Sequence, residues 1–258
     1  MTSIFRCFVP QASQFEIGQE YGLPNPEAHH LVHVLRASAD SEIHLLDGNG
    51  HITRANLRIY QRKARVYIKE HLSMAAPTPR IILAQGFLKK NAMDLLFRDA
   101  SALGVSQIAP IIAKHSELKI PPSQIASKME HWRSIAIAAC KQSGQAFLPQ
   151  ILIPQHLEIF FSKISSESNV LLVGKLARET PTLWQELESI TLGQDIASMI
   201  LFIGPEGDFN SEEYQLLAAK GARNIRLSRQ ILRAETASVY ALSVIDQWRQ
   251  YDAEKFHG

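Results

Sequence analysis

Cysteine is scarce: Cys7 and Cys140 are the only 2 in 258 residues, and they lie far apart with neither CxxC nor metal-ligand spacing. Neither a disulfide framework nor a zinc site is expected, and both thiols are read as reduced. Long apolar runs are also missing. No stretch of about 18 apolar residues occurs, and the first residues carry no apolar signal segment. The expectation is a cytoplasmic protein without a membrane association. The usual nucleotide cradles are absent as well, since neither GxGxxG nor GxxxxGKS or GxxxxGKT is found. No serine stands in a GxSxG elbow, and HExxH does not occur. The formal net charge of +2 is too small to mark the whole chain as a polyanion binder, so any such surface must be local.

What is present describes an ordinary globular chain. Hydrophobic residues make up 46% and charged residues 20%, enough to bury a core, and 258 residues suit two unequal domains. Short apolar and polar pieces alternate at 4–9, 42–46, 52–57 and 63–71, separated by turn signals such as Asp47-Gly48-Asn49-Gly50. Asp-Gly and Asn-Gly between such runs mark hairpins, so 1–75 is read as a small antiparallel sheet or barrel. One helix interrupts it, with Asn25 as N-cap, Pro26 at the first helical position and Glu27 in the first turn, running to about Arg36.

Pro77 and Pro79 fit neither a central strand nor a helix interior, which places the domain boundary there and leaves 76–258 as a second domain. Beyond it, apolar runs at 81–85, 107–112, 170–173, 199–203 and 225–227 alternate with helical stretches at 92–103, 124–143, 182–188 and 211–220 and with a last helix. Gly104, Gly144 and Gly221 stand where left-handed caps are wanted, and Asn210 followed three residues later by Glu213 resembles a capping box. Strand then helix, repeated, predicts a parallel sheet covered on both faces.

Chemistry concentrates in 201–236. An apolar strand runs into Gly204-Pro205-Glu206-Gly207, and after one helix a second loop ends Leu232-Arg233-Ala234-Glu235-Thr236. Ligands bind at the carboxyl ends of strands in open α/β sheets, and glycines let backbone groups approach them. A Gly-Pro-Glu-Gly loop alone also reads as a plain turn, and Glu235 and Thr236 also suit a helix start. A helix start accounts poorly for Arg233, because a cation is unfavourable there.

Other candidates are weaker. Arg54, Arg58, Arg62, Lys63, Arg65 and Lys69 fall within 51–69 without an Asp or Glu among them, interleaved with Tyr60 and Tyr67. They read either as a solvated strand face or as a phosphate-contacting surface. His29 and His33 share a helix face, yet no third ligand is marked, so no metal is expected. With His30 and Arg36 they suit a polyanion or solvent. Cys140 and Ser143 have no visible base, while Lys141, Gln142, Ser143 and Gln145 could line a substrate cleft.

Taken together, His29-His30-Leu31-Val32-His33-Val34-Leu35-Arg36, the 47–50 turn, Ala102-Leu103-Gly104-Val105, Ala138-Ala139-Cys140-Lys141-Gln142-Ser143-Gly144, Gly204-Pro205-Glu206-Gly207 and Ile231-Leu232-Arg233-Ala234-Glu235-Thr236-Ala237 resemble the ribosomal RNA small subunit methyltransferase E family. The motifs span nearly the whole chain, in order. The resemblance implies transfer of a methyl group from S-adenosylmethionine to N3 of a uridine in 16S rRNA, within the small ribosomal subunit. It also implies a PUA-like RNA-binding barrel at 1–75, a SPOUT domain at 76–258 with a C-terminal trefoil knot that general folding rules would exclude, and a homodimer. Under it, cofactor contacts fall to Leu172, Gly174, Ile203, Gly204, Pro205, Glu206, Gly207, Leu227, Ser228, Leu232 and Thr236. Arg233 becomes the catalytic candidate, with Glu206 or Glu235 in range as a base. RNA contacts fall to His29, Arg36, Arg54, Arg58, Arg62, Lys63, Lys141 and Gln142.

The chain departs from the family pattern in two glycines of the cofactor loops, which appear as Asp208 and Ser228, and in substrate-side positions around Arg98-Asp99 and 141–145. These departures motivate an alternative, a non-catalytic RNA-binding or assembly factor that keeps the fold.

Overall fold

The computed structural model describes residues 4–60, 63–116, 120–164, 168–177, 179–190 and 196–257, with Lys90 and 252–257 as backbone alone. The chain divides into two compact units, Met1–Ala76 with Ile137–Leu148, and Pro77–Ala136 with Pro149–Gly258. The sequence reading assigned 137–148 to the second domain. Its contacts place it with the first, for reasons visible in the side chains. The Phe147 ring lies against Gly50, where a Cβ would come within 2.4 Å of it. Gly50 N–H donates to Ala146 O at 3.1 Å, Leu148 N–H donates to Gly48 O at 2.9 Å, and Lys141 Nζ donates to both Glu27 carboxylate oxygens at 2.9 and 3.1 Å.

The first unit holds β1 (Phe5–Phe8), β2 (Glu20–Gly22), β3 (Glu42–Leu46), β4 (His51–Tyr60) and β5 (Lys63–Ser73) in the order β1-β3-β4-β5-β2. Only β1 and β3 run parallel. Period-two alternation sends Thr53, Ala55 and Leu57 of β4 and Ala64, Val66 and Ile68 of β5 inward, onto Cys7, Leu31, Ile43 and Leu45. Each fully buried aliphatic there contributes about 1.5–3 kcal/mol. The 47–50 turn joins β3 to β4, as read. Asp47 organises it by accepting from Asn49 N–H at 2.7 Å, His51 N–H at 3.1 Å and His51 Nδ1 at 2.8 Å.

The helix of this unit differs from the expectation. α1 (Asn25–His29) begins after Pro24, which offers no side-chain cap, so Asn25 lies inside the first turn. A π-helical turn, His30–Val34, follows, and Arg36 ends the segment at φ 52°. β2, three residues with one apolar side chain, was not legible from periodicity.

The second unit holds β6 (Arg80–Gly86), β7 (Gln107–Ile111), β8 (Gln150–Ile151), β9 (Asn169–Gly174), β10 (Ser198–Ile203) and β11 (Arg223–Ile225), all parallel, in the order β11-β9-β10-β6-β7-β8. Its helices are α2 (Lys90–Ala102), α3 (Pro122–Ser143, of which 137–143 belong to the first unit), α4 (Leu157–Ser162), α5 (Leu183–Ser189), α6 (Ser211–Ala219) and α7 (Ala234–His257). Both faces are covered: Leu83 and Leu201 pack with Phe97, Trp132 and Ile245, while their neighbours Ala84 and Phe202 pack with Ile111, Phe160 and Leu217. Continuous burial of β10 is the signature of a central parallel strand. Asn210 and Glu213 make the expected capping box, and Gly104, Gly144 and Gly221 follow their helices at positive φ. β8 and α4 are too short to have been read. Among the described residues no helix is long and apolar enough to cross a membrane.

Register aligns Ile203 with Gln85, and Phe202 with Val173. The carboxyl ends of β6, β9 and β10 therefore meet on one edge, where the loops of 201–236 also emerge.

Candidate cofactor-binding site

A cavity of about 810 Å³ opens on that edge, within the second unit. One wall is the end of β10 and its loop, Ile203–Glu206 and Asp208; another is Leu227, Ser228 and 230–233 running into α7. Gly174, Lys175 and Leu176 beyond β9 and the start of α2, from Lys89 to Leu95, complete it. Pockets of about 300–1,000 Å³ take small-molecule ligands. Leu176, Ile203, Leu227 and Leu232 give this one apolar sides.

Glycine is required where chains touch. A Cβ on Gly86 would stand 2.4 Å from Pro205 N, so the end of β6 lies directly against the Gly204–Pro205 backbone. A Cβ on Gly204 would meet Asp208 Oδ1 at 2.6 Å. Asp208 N–H donates to Pro205 O at 2.9 Å and closes the turn, while Glu206 Oε1 accepts from Lys89 N–H at 3.0 Å and ties the loop to α2.

Asp208 explains its own departure from the family glycine. It sits at φ 60°, a left-handed position that favours glycine. Aspartate is tolerated there through local bonds: Oδ1 accepts from Phe209 N–H at 2.8 Å and from Tyr214 Oη at 2.9 Å. Burial, then the charge and hydrogen bond of Asp208, push the Tyr214 phenol up, so it stays a donor. Lys175 Nζ lies 4.9 Å from the centre of that ring. Ser228 is not in the left-handed region, so no glycine geometry is needed; its Oγ accepts from Gln230 N–H at 3.1 Å.

Arg233 lines the cavity, and its carbonyl accepts the first helical bond of α7, from Ala237 N–H at 2.8 Å. Its guanidinium has no ion-pair or hydrogen-bond partner among the described residues. Glu235 stands in the first turn of α7, also lining the cavity.

Of the expected cofactor contacts, Gly174, Ile203, Gly204, Pro205, Glu206, Leu227, Ser228 and Leu232 come together here with Arg233. Leu172, Gly207 and Thr236 do not. Leu172 is fully buried in the core, and Thr236 is exposed inside α7 rather than capping it. Gly207 is held for packing, since a Cβ would stand 2.9 Å from His115 Cβ. The α2 wall was missed, although its place after the carboxyl end of β6 is the one signal that marks it.

Three of the six cations of the basic strip meet a carboxylate, while Lys69 is exposed without a partner among the described residues. Arg54 pairs with Glu70 at 2.7 Å, directly across the β4–β5 ladder, Arg58 pairs with Asp40, and Arg65 pairs with Glu20 at 3.4 Å. The acids come from outside 51–69, which is why the strip looked unbalanced in sequence. Lys141 is likewise committed to Glu27, with both side chains mostly buried. Lys63 and Arg36 are exposed and unpaired among the described residues. His29 is exposed beside His33, ring centres 4.9 Å apart, and Gln142 is exposed while its carbonyl accepts from Arg6 at 3.2 Å. Arg62 lies outside the described residues. Among the described residues no group of three or more His, Cys, Asp or Glu is placed to hold a metal. Burial pushes the Cys140 thiol up to about 11 and the Cys7 thiol higher, leaving neither a nucleophile.

The family model described as RNA methyltransferase domain matches residues 75–246, and that described as RNA methyltransferase PUA domain matches 23–58. Ribosomal RNA small subunit methyltransferase E of Aquifex aeolicus is 30% identical over 186 residues, 72% of this chain and 76% of the relative. A putative methyltransferase from Legionella pneumophila, solved in complex with bound cofactor SAM, superposes with a TM-score of 0.82 at 28% identity, covering 95% of this chain and 98% of that one. The ribosomal RNA small subunit methyltransferase E of Neisseria gonorrhoeae, solved bound to S-adenosyl methionine, gives 0.80 at 25% identity with the same coverage. The parallel sheet and the PUA-like unit are thus those of the SPOUT class, and the chain belongs to the ribosomal RNA small subunit methyltransferase E family of RNA methyltransferases.

Proposed function

We propose that the cavity binds S-adenosylmethionine and that the protein methylates N3 of a uridine in 16S rRNA of the small subunit, working in the cytoplasm as a homodimer. The observation that carries this reading is an unpartnered arginine, Arg233, beside a backbone-lined cavity in a chain of this family. The residues fit the cofactor. Ile203 and the leucines supply apolar sides, and the carboxylates of Glu206, Asp208 and Glu235, all lining the cavity, suit a cationic ligand.

When bound, the cofactor supplies an electrophilic methyl group on a sulfonium. The chain must deal with the acceptor. Uridine N3 carries a proton and attacks only as that proton leaves, so a fixed cation that steadies the developing anion lowers the barrier. Arg233 takes that role at the pyrimidine oxygens. Glu206 is engaged by Lys89 N–H, which leaves Glu235, without a partner among the described residues, as the acceptor of the N3 proton. Departure at Asp208 and Ser228 does not favour the non-catalytic alternative, because both loops hold their shape with the residues present.

The knot and the domain roles implied by the family belong to the same reading: 1–75 binds RNA, and 76–258 binds cofactor and dimerises. Exposed Tyr240 and Ile231 in the second unit support a dimer face. The test is to incubate the protein with methyl-labelled S-adenosylmethionine and small-subunit particles lacking the modification, then map the label. A single labelled uridine N3 in 16S rRNA is expected; label on a ribose, on tRNA or nowhere overturns the assignment.

A further inference from the structure

Two fully buried polar side chains lie beneath the cavity without lining it. Gln85, at the carboxyl end of β6, is 0% exposed, and so is Ser238 on α7. The Gln85 amide nitrogen lies 3.0 Å from Gly86 O, 3.2 Å from Gly204 O and 3.3 Å from Ile203 O. Because all three partners are carbonyls, the orientation of the amide is settled: its two N–H groups serve three acceptors. Its oxygen accepts from Ser238 Oγ, which is also 3.1 Å from Ala234 O in the first turn of α7.

The choice of partners argues for more than the satisfaction of a buried amide. Ile203 and Gly204 carry the last carbonyl of β10 and the first of its loop, where the ladder no longer supplies donors. Ala234 follows Arg233 directly. One side chain therefore joins the Gly204 wall to the α7 wall, and Gly86 presses on Pro205 from the same strand end.

We propose that Gln85 and Ser238 are positioning residues that hold the Gly204 loop and the first turn of α7 in register, so that the cavity is shaped for its cofactor before binding. This rests on the reading that the cavity binds S-adenosylmethionine. Preorganisation of this kind sets affinity for the ligand, not the chemistry of transfer.

The experiment titrates S-adenosylmethionine calorimetrically into the wild type, Gln85→Met, Ser238→Ala and the double variant, with thermal melting and methyl-transfer kinetics in parallel. Gln85→Met is expected to weaken the cofactor by about 10–100-fold and Ser238→Ala by about 5-fold, with the double no worse than Gln85→Met because the two act as one unit. KM for the cofactor should rise in step while kcat at saturation stays within about threefold. Wild-type affinity in variants that melt a few degrees lower, or additive losses, would reduce the pair to core packing and overturn the inference. Should Gln85→Met not fold, Ser238→Ala, which removes one hydroxyl, decides: weakened binding supports the inference and unchanged binding overturns it. A wild type that binds no cofactor overturns the reading of the cavity instead, and the inference falls with it.

Discussion

Two places in this chain concentrate arginine, and they behave oppositely. On the sheet of the first unit, Arg54, Arg58 and Arg65 each meet a carboxylate from another segment. In the second unit Arg233 stands alone among the described residues, against the preference of a helix N-terminus for negative charge. A run of basic residues in sequence therefore says less about anion binding than one arginine that the fold leaves without a partner. Exposed ion pairs of the first kind contribute about 0–1 kcal/mol each. They tie strands of the sheet surface to neighbouring segments.

The contrast can be broken in order of effect. Arg233→Ala is expected to lower kcat by about 100–1,000-fold, the scale of losing a transition-state charge stabiliser. S-adenosylmethionine affinity by calorimetry should stay within a few-fold, and wild-type turnover would remove Arg233 from the chemistry. Gly86→Ala forces Pro205 away from the strand end and should weaken the cofactor by about 100-fold, as a wall displaced by about 1 Å would. Unchanged binding in that variant would mean that the loop shape does not matter.

In the first unit, Lys63→Ala should reduce the salt slope of RNA binding by about 1, whereas Arg58→Ala, already paired, should leave it nearly unchanged. Equal slopes in filter-binding titrations across salt would erase the distinction between paired and unpaired cations. The smallest effect concerns the 47–50 turn. Burial works against the Asp47 carboxylate, but the N–H groups of Asn49 and His51 and the His51 ring outweigh it and hold the group below 3.8. Its stabilisation is thus present at neutral pH and fades as pH falls through that lowered value. Asp47→Asn should flatten the acid limb of a denaturation series below about pH 4, and an unchanged limb would dismiss the turn as a source of acid sensitivity.

Much of the second unit was legible because its signals are local. β10 is an unbroken apolar run, Asn210 and Glu213 announce a capping box, and Gly221 closes α6. The loop at the cavity was legible for the same reason, since Gly204-Pro205-Glu206-Gly207 directly follows that strand. What failed depended on distance along the chain. Gly207 looks like Gly204 in sequence, yet one faces the cavity and the other packs on His115. Gln85 sits in an apolar stretch, and nothing local says that its amide will find carbonyls 118 and 119 residues later. One failure was local: Asn25 looked like a cap because its type and the following proline are right, but the helix begins at Asn25 itself, directly after Pro24.

By itself the sequence determined the alternation of strands and helices and the family, because periodicity, caps and motif order act over a few residues. Tertiary structure alone decided which charges are spent and which remain. Glu70, Asp40 and Glu20 pair three arginines of a strip that reads as basic, and 137–148 belongs to the first unit although the helix leading into it starts in the second. Whether an arginine is available depends on what folds up against it, and that is set by contacts between residues far apart in the chain.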